Sequence, residues 1–124
     1  MNLLLDTHIL LWWLAGVPLQ PEAHERIVDP AVGVVVSAAT VWEIAIKRAL
    51  GKLRLDGSME EHLRGSAFHS LAITASHAER AGALPPVHRD PFDRMLVAQA
   101  SSEGLTLVTR DPVFDSYDVS ILRG

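Results

Sequence analysis

The hydrophobic residues of this chain form short continuous runs that are separated by stretches of helical spacing. The run from Val32 to Ser37, "VGVVVS", is apolar and β-branched on consecutive positions, which is typical of a strand buried on both faces. The segment "LTLVT" near the end of the chain has the same character. Runs that predict strands occupy residues 2–6, 32–37, 70–73, 105–109 and 119–122.

The segments between these runs predict helices. The clearest has Asp90 as N-cap, Pro91 at the first helical position and Gly104 as C-cap. Thr74 is predicted to cap the helix before it. Helices are predicted to begin at or near Thr7, Pro21, Ala38, Ser58, Ala75 and Pro91.

One of these helices has a marked apolar stripe. It is predicted to run from Ala38 to Leu50, and Gly51 stops it. We expect the stripe to be the buried side of the helix, with Glu43 at its margin. The positions that form the stripe are Trp42, Ile46, Ala49, Leu50 and Leu53.

Apolar strands that alternate with helices predict an α/β fold. The sheet is expected to be mostly parallel, covered by helices on both faces and joined by right-handed crossovers. No internal repeat, low-complexity tract or linker interrupts the pattern, so we expect a single domain over residues 1–124.

Composition narrows the classes of function. The chain has 124 residues, of which 48% are hydrophobic and 21% charged, as in an ordinary globular protein. It has no cysteine, which excludes disulfides, thiolate metal sites and cysteine nucleophiles. The net charge of −4 argues weakly against a general nucleic-acid coat protein. The longest apolar run, Ile9 to Ala15, is too short to span a bilayer, so we expect a soluble, cytoplasmic protein without a membrane partner.

Acidic residues follow the predicted strands at the points where each strand ends. Asp6 ends the first strand, Glu43 lies in the first turns after the second, and Asp111 lies just past the fourth. Asp93 opens the helix before that fourth strand and shares a helical face with apolar residues. Since ligands of a parallel sheet gather beyond the carboxyl ends of the strands, we expect these four acids to meet there.

Carboxylates that converge in a partly buried place need a cation, because desolvating them unpaired is costly. Oxygen ligands without histidine or cysteine spacing favour a hard ion, Mg²⁺ or Mn²⁺, over zinc. Such an ion suits hydrolysis of a phosphodiester. Thr7 and Thr109 each lie one or two residues from a proposed ligand, where they either orient the carboxylates or serve as turn and cap residues.

Each acid also has an ordinary structural interpretation. Asp6 is placed to cap the first helix, and Glu43 is placed to pair with Lys47 one turn later. Asp93 suits the dipole of its helix, and Asp111 before a proline suits a turn.

Four sequence blocks resemble, in order and spacing, the PIN-domain ribonucleases of the VapC toxin type. They are "LLLDTHILLWWL", "VWEIAIKRALGKL", "HRDPFDRMLVAQA" and "LTLVTRDPVF", and the similarity spans essentially the whole chain. The resemblance implies that the acidic metal-binding quartet is Asp6, Glu43, Asp93 and Asp111. Of the two aspartates in "DPFDR" we assign Asp93 as the ligand, since Asp90 has the cap position.

The resemblance also implies a fold and partners. The fold is a three-layer α/β/α sandwich with a central five-stranded, mostly parallel sheet. The activity is Mg²⁺- or Mn²⁺-dependent cleavage of RNA, the assembly is a homodimer, and a cognate VapB-type antitoxin inhibits the enzyme by placing its tail in the active-site groove.

Several basic and aromatic residues lie beside the proposed acids. Arg89, Arg94 and Arg110 are candidates to grip RNA phosphates, with charge balance for neighbouring aspartates as the alternative. His8 is a candidate for substrate contact or dimer order. The first helix is apolar nearly all round, so Trp12 and Trp13 are expected either to meet another chain or to be covered by the second and third helices.

Three other functions compete with the nuclease. A receiver-like signalling domain lacks its site, because Thr74 and Ala75 follow the third predicted strand where an aspartate is required. A phosphatase with a nucleophilic aspartate lacks its second acid, since His8 stands two residues after Asp6. A catalytically silent PIN scaffold that only binds RNA or protein remains the alternative.

Overall fold

The predicted parallel α/β sandwich is confirmed in the computed structural model, which describes residues 2–124. The strands are β1 (Leu3–Leu5), β2 (Val34–Ser37), β3 (His69–Leu71), β4 (Thr106–Thr109) and β5 (Ile121–Arg123). They form one sheet in the order β3-β2-β1-β4-β5, and every neighbouring pair is parallel. The two edge strands, β3 and β5, begin and end within two residues of the predicted limits.

All six predicted helices are present, together with a 3-10 helix that the sequence pattern did not indicate. The helices are α1 (Thr7–Leu14), α2 (Pro21–Val28), α3 (Ala38–Ala49), α4 (Met59–Gly65), α5 (Ala75–Ala83) and α6 (Pro91–Glu103), and the 3-10 helix is Pro112–Ser116. The predicted caps are confirmed: Asp90 accepts hydrogen bonds at the start of α6, Thr74 caps α5, and Gly104 ends α6 in the left-handed conformation with φ 65°.

The sheet separates two hydrophobic cores because successive side chains of β1 point to opposite faces. Leu3 and Leu5 pack with α1, α2, α3 and α4 on one face. Leu4 packs with α6 and with Phe114 of the 3-10 helix on the other. All three leucines are fully buried, so β1 is the centre of the molecule, and residues that follow it are held in place from both sides.

The expected burial of the α3 stripe is wrong at every position except Leu53, which is partly buried against the core. Trp42 is 62% exposed, Ile46 36% and Leu50 63%. Ala39, Thr40 and Ile44 are buried instead, so α3 turns a different side inward from the one that the stripe indicated. A period of 3.6 identifies an apolar stripe but does not say which partner covers it. Glu43 is half-buried between the two sides and is directed toward the carboxyl ends of the strands.

The tryptophans of α1 are largely covered within the chain. The Trp13 ring lies 5.3 Å from the His24 ring of α2 and 6.1 Å from the Phe68 ring. The Arg110 guanidinium lies over the Trp12 ring at 4.2 Å from its centroid. Cover by α2 therefore accounts for Trp13, while Trp12 remains beside the ends of β1 and β4. Among residues 2–124, no helix is long and apolar enough to cross a membrane.

Candidate active site

The order of the strands reverses between β1 and β4, and the crevice beyond their carboxyl ends is where parallel α/β folds bind ligands. Leu5 of β1 is paired with Val108 of β4, so the next residues, Asp6 and Thr109, emerge side by side. Thr109 Oγ1 donates to Asp6 Oδ2 at 2.8 Å. Asp6 occupies the N-cap position of α1 but forms no side-chain capping bond there. Asp6 is 4% exposed, and its carboxylate is directed to the crevice.

Glu43 reaches the same crevice from α3, which begins directly after β2. Thr7 Oγ1 donates to Glu43 Oε1 at 2.7 Å, and Lys47 Nζ donates to Oε2 at 2.9 Å. The pairing with Lys47 that the sequence offered as an ordinary role is thus present. The hydroxyl of Thr7 therefore holds the Glu43 carboxylate, and the hydroxyl of Thr109 holds the Asp6 carboxylate.

The start of α6 brings two more carboxylates and an imidazole. Asp90 Oδ1 caps the helix by accepting from the backbone N–H groups of Phe92 (2.8 Å) and Asp93 (3.2 Å). His88 Nε2 donates to Asp93 Oδ2 at 2.7 Å. Potential ligand atoms of His88, Asp90 and Asp93 all lie within 4.8 Å of one another.

Asp111 enters from the loop after β4. Its Oδ1 accepts from Val113 N at 3.0 Å and so caps the 3-10 helix, which is the turn role considered above. Its own N–H donates to Thr109 Oγ1 at 3.1 Å. Thr109 is therefore bonded to Asp6 through its hydroxyl hydrogen and to Asp111 through its hydroxyl oxygen.

The four predicted acids line one cleft of about 250 Å³, which we call the acidic cleft. Five carboxylates line it, and among the lining residues a single lysine faces them. The residues are Asp6, Thr7, His8, Glu43, Lys47, His88, Asp90, Asp93 and Asp111.

Burial raises the pKa of two carboxyls of the cleft. Desolvation raises the pKa of Asp6 and outweighs the hydrogen bond from Thr109, which lowers it. Desolvation also raises the pKa of Asp93 to about 6; the His88 hydrogen bond opposes this rise, while the charges of Asp90 and Asp6 add to it. Both carboxyls are therefore poorly stabilised as anions by the protein alone.

This donor set fits a divalent cation. The cleft offers carboxylate oxygens from four separate segments. When these carboxylates are ionised, the one lysine among the lining residues does not balance their negative charge. Hard ions such as Mg²⁺ prefer such oxygens, and one imidazole nitrogen at the rim is also compatible with Mn²⁺.

The predicted basic residues lie in different surroundings. Arg94 donates to the carbonyls of Ala81, Leu84, Pro85 and His88, so its guanidinium holds the loop before α6. Its contact with RNA stays a prediction.

Arg89 is exposed in that loop, beside Asp90. His8 is exposed on the first turn of α1 and lines the acidic cleft. Arg110 packs on Trp12 and donates to the carbonyl of Gly124. For all three residues, contact with substrate stays a prediction.

The sequence pattern did not single out His88, yet its imidazole bonds directly to the predicted ligand Asp93. Lys47 bonds directly to the predicted ligand Glu43, in the ion pair that the sequence offered as an ordinary role. For Lys47 the signal was its position four residues after Glu43 on one helix. For His88 the signal was weaker, since its bond to Asp93 depends on how the loop enters α6.

An all-parallel sheet between two helical layers, with carboxylates gathered beyond its strand ends, defines an α/β/α protein with an acidic cleft of the cation-binding type. The PIN domain model matches residues 3–120, and the chain belongs to this family. It is 32% identical over 118 residues to ribonuclease VapC22 of Mycobacterium tuberculosis, covering 89% of this chain and 87% of that protein.

Solved structures share the fold. VapBC2 of Rickettsia felis, bound to a DNA fragment from its promoter, is similar at a TM-score of 0.69 and 14% identity, with 99% of this chain and 98% of that chain covered. A toxin–antitoxin complex from Klebsiella pneumoniae is similar at a TM-score of 0.66 and 22% identity, with 96% and 94% covered. At these identities the similarity shows the fold.

Proposed function

We propose that this PIN-domain protein is a metal-dependent endoribonuclease toxin of the VapC type, folded as one domain over residues 1–124. The observation that carries the proposal is the acidic cleft, where carboxylates of four segments line one cavity at the reversal of strand order. The similarity to a ribonuclease over most of both chains favours RNA as the substrate.

In the proposed mechanism Asp6, Glu43, Asp93 and Asp111 hold Mg²⁺ or Mn²⁺. When bound, the ion lowers the pKa of water and stabilises charge on the oxygens of the scissile phosphodiester. Thr109 and Thr7 fix the Asp6 and Glu43 carboxylates, and His88 fixes Asp93. These bonds reduce the motion of the ligands before the ion arrives.

Lys47 supplies the positive charge nearest to Glu43. Its ammonium lies 2.9 Å from Glu43 Oε2 and lines the acidic cleft. A cation at this distance offsets part of the repulsion among the carboxylates. We propose that Lys47 holds the Glu43 carboxylate in place for the metal, rather than acting on the phosphate itself.

The proposal is tested by cleavage of RNA with defined metals. Purified protein is incubated with total RNA and EDTA, and then with Mg²⁺ or Mn²⁺ in excess. We expect cleavage only with added metal, and suppression when a VapB-type antitoxin is supplied. Metal binding by calorimetry without any cleavage of RNA would instead support the silent scaffold.

Thr109→Val is expected to weaken metal binding by about 10- to 100-fold, because the hydroxyl that holds Asp6 is lost. Calorimetry with Mn²⁺ measures the effect. Thr106→Val is the matched control: Thr106 begins the same strand, and its hydroxyl contacts Ser120 at the opposite rim. Equal metal affinity in the two variants would show that Thr109 does not position Asp6.

The exposed stripe of α3 is our candidate for the homodimer surface. Trp42, Ile46 and Leu50 lie on successive turns, and Trp42 also lines an apolar groove of about 530 Å³ between α3 and α4. Large apolar side chains at this spacing usually mark a site that another chain covers. The Trp42 ring also packs edge-on against Phe92 at 5.3 Å, so the stripe reaches the start of α6.

Leu50→Glu is expected to convert the dimer into a monomer, because it places a charge in the proposed interface. Light scattering after gel filtration measures the mass. The control is Val28→Glu, which changes a 54% exposed valine on α2. A Leu50→Glu protein that keeps the mass of the unchanged protein contradicts this interface.

A further inference from the structure

A second cavity adjoins the acidic cleft and has a different lining. It measures about 250 Å³ and shares Asp6, His8 and Asp111 with the acidic cleft. Trp12 and Arg110 complete it. We call it the aromatic cavity. Because the two cavities share three residues, a molecule that has its phosphate in one can place an adjoining group in the other.

Arg110 presents a fixed planar group in this cavity. Its guanidinium carbon lies 4.2 Å from the centroid of the Trp12 ring, and its Nε and Nη2 donate to the carbonyl of Gly124 at 3.3 and 3.1 Å. An arginine that grips phosphates directs its N–H fork at the ligand. Here part of that fork is bonded to the protein's own backbone, so the guanidinium is better placed to act as a flat surface.

His8 adds a second ring. It lies one helical turn before Trp12 on α1, and the two ring centroids are 5.8 Å apart with planes tilted by 39°. His8 is exposed, whereas Trp12 is partly buried against the core. The cavity therefore has two aromatic rings and a guanidinium beside the carboxylates of Asp6 and Asp111.

We propose that the aromatic cavity binds the nucleobase next to the scissile phosphate and thereby sets the sequence preference at that position. The proposal rests on the ribonuclease function proposed above. Unpaired RNA bases stack on aromatic rings and on arginine planes, and such stacking changes affinity by about 5- to 150-fold per base.

An RNA base fits the observations better than a segment of a protein partner. The cavity of about 250 Å³ holds only a small group, its lining includes planar side chains, and it lies beside the carboxylates that it shares with the acidic cleft. A base attached to a phosphate in the acidic cleft meets these conditions. A peptide backbone has no flat ring to stack on the two aromatic rings and the guanidinium, so it would use less of this lining.

Fluorescence of 2-aminopurine tests the stacking directly. Short RNAs with 2-aminopurine on either side of the mapped cleavage position are bound to the Asp93→Asn protein, which is expected to bind without cleaving. We expect quenching at one position and its loss with His8→Ala or Trp12→Leu added. Arg110→Lys keeps the charge but removes the plane, so it should also reduce quenching. His69→Ala, on the exposed edge strand β3, is the control and should leave quenching unchanged.

Cleavage kinetics give an independent readout in the otherwise unchanged protein. Replacing the flanking base with an abasic nucleotide should lower kcat/KM by about 5- to 150-fold. In the His8→Ala protein the abasic nucleotide should change kcat/KM little. His8 is exposed, so this variant is expected to fold normally.

The outcomes separate this inference from the function on which it rests. If RNA is neither bound nor cleaved, both fail. If RNA is cleaved but quenching and the abasic effect are unchanged in every variant, only the base-binding cavity is overturned. If the variants weaken inhibition by a VapB-type antitoxin while leaving quenching intact, the cavity belongs to the protein partner and the inference is also overturned.

Discussion

Replacing either Asp6 or Asp93 by asparagine is expected to lower kcat/KM for RNA by more than about 100-fold. Groups that only orient ligands cost about 10- to 100-fold when they are lost, and a direct ligand should cost more. Asparagine keeps the shape of the side chain but removes the charge that the ion requires. The measurement is initial cleavage rate at saturating Mg²⁺ or Mn²⁺, on RNA whose cleavage position has been mapped.

Asp118→Asn is the matched control for charge. Asp118 is exposed and precedes β5, at the opposite rim of the sheet, so its loss should leave cleavage unchanged. Retained cleavage in both Asp6→Asn and Asp93→Asn would contradict the proposed mechanism. Retained cleavage in Asp93→Asn alone would transfer the ligand role at the start of α6 to Asp90, which also lines the acidic cleft.

Without metal, Asp93→Asn is expected to stabilise the protein near pH 7.5. Burial raises the pKa of Asp93 from 3.8 to about 6, so the folded state holds this proton more tightly than the unfolded state. As the pH rises from about 4 to 6, Asp93 loses its proton more readily in the unfolded state, so the free energy of unfolding falls. Above about pH 6 the carboxyl is ionised in both states, and its burial as an anion destabilises the folded state by the full amount. With 1.36 kcal/mol per pKa unit, the gain of the variant is at most about 3 kcal/mol.

Urea denaturation in EDTA at several pH values measures this difference. The variant should exceed the unchanged protein most above about pH 6, and the difference should shrink toward about pH 4. Asp118→Asn, which removes a carboxylate from an exposed position, is the matched control. Added Mn²⁺ should reverse the order by stabilising the unchanged protein more. A large loss of stability in Asp93→Asn at neutral pH would instead make Asp93 a structural residue.

The positions of the strands and helices and most of their limits follow from local sequence signals, whereas the order of the strands in the sheet was not predicted. Continuous apolar runs marked the buried strands, and proline and glycine marked both ends of α6. The 3-10 helix was missed because Pro112 and Asp111 also suit a simple turn. The outward orientation of the α3 stripe was missed because periodicity does not identify the surface that covers a helix.

The acids of the cleft were predictable because strand ends meet at one rim of a parallel sheet. Their hydrogen-bond partners were not predictable to the same extent. Arg94 bonds to carbonyls of the preceding loop and to Ala81 of α5, which lies 13 residues earlier in the sequence, so these bonds depend on where the loop returns. The contact between Arg110 and Trp12 joins α1 to the end of β4, and no local pattern in either segment indicates it.

The two edge strands restrict how other molecules can attach. β3 and β5 have only three residues each, and both run parallel to their neighbours. A peptide that lengthens a sheet by strand addition needs a longer row of open backbone groups. Peptide inhibitors of this protein should therefore be designed as helices for its grooves, since extended peptides would find little backbone to pair with.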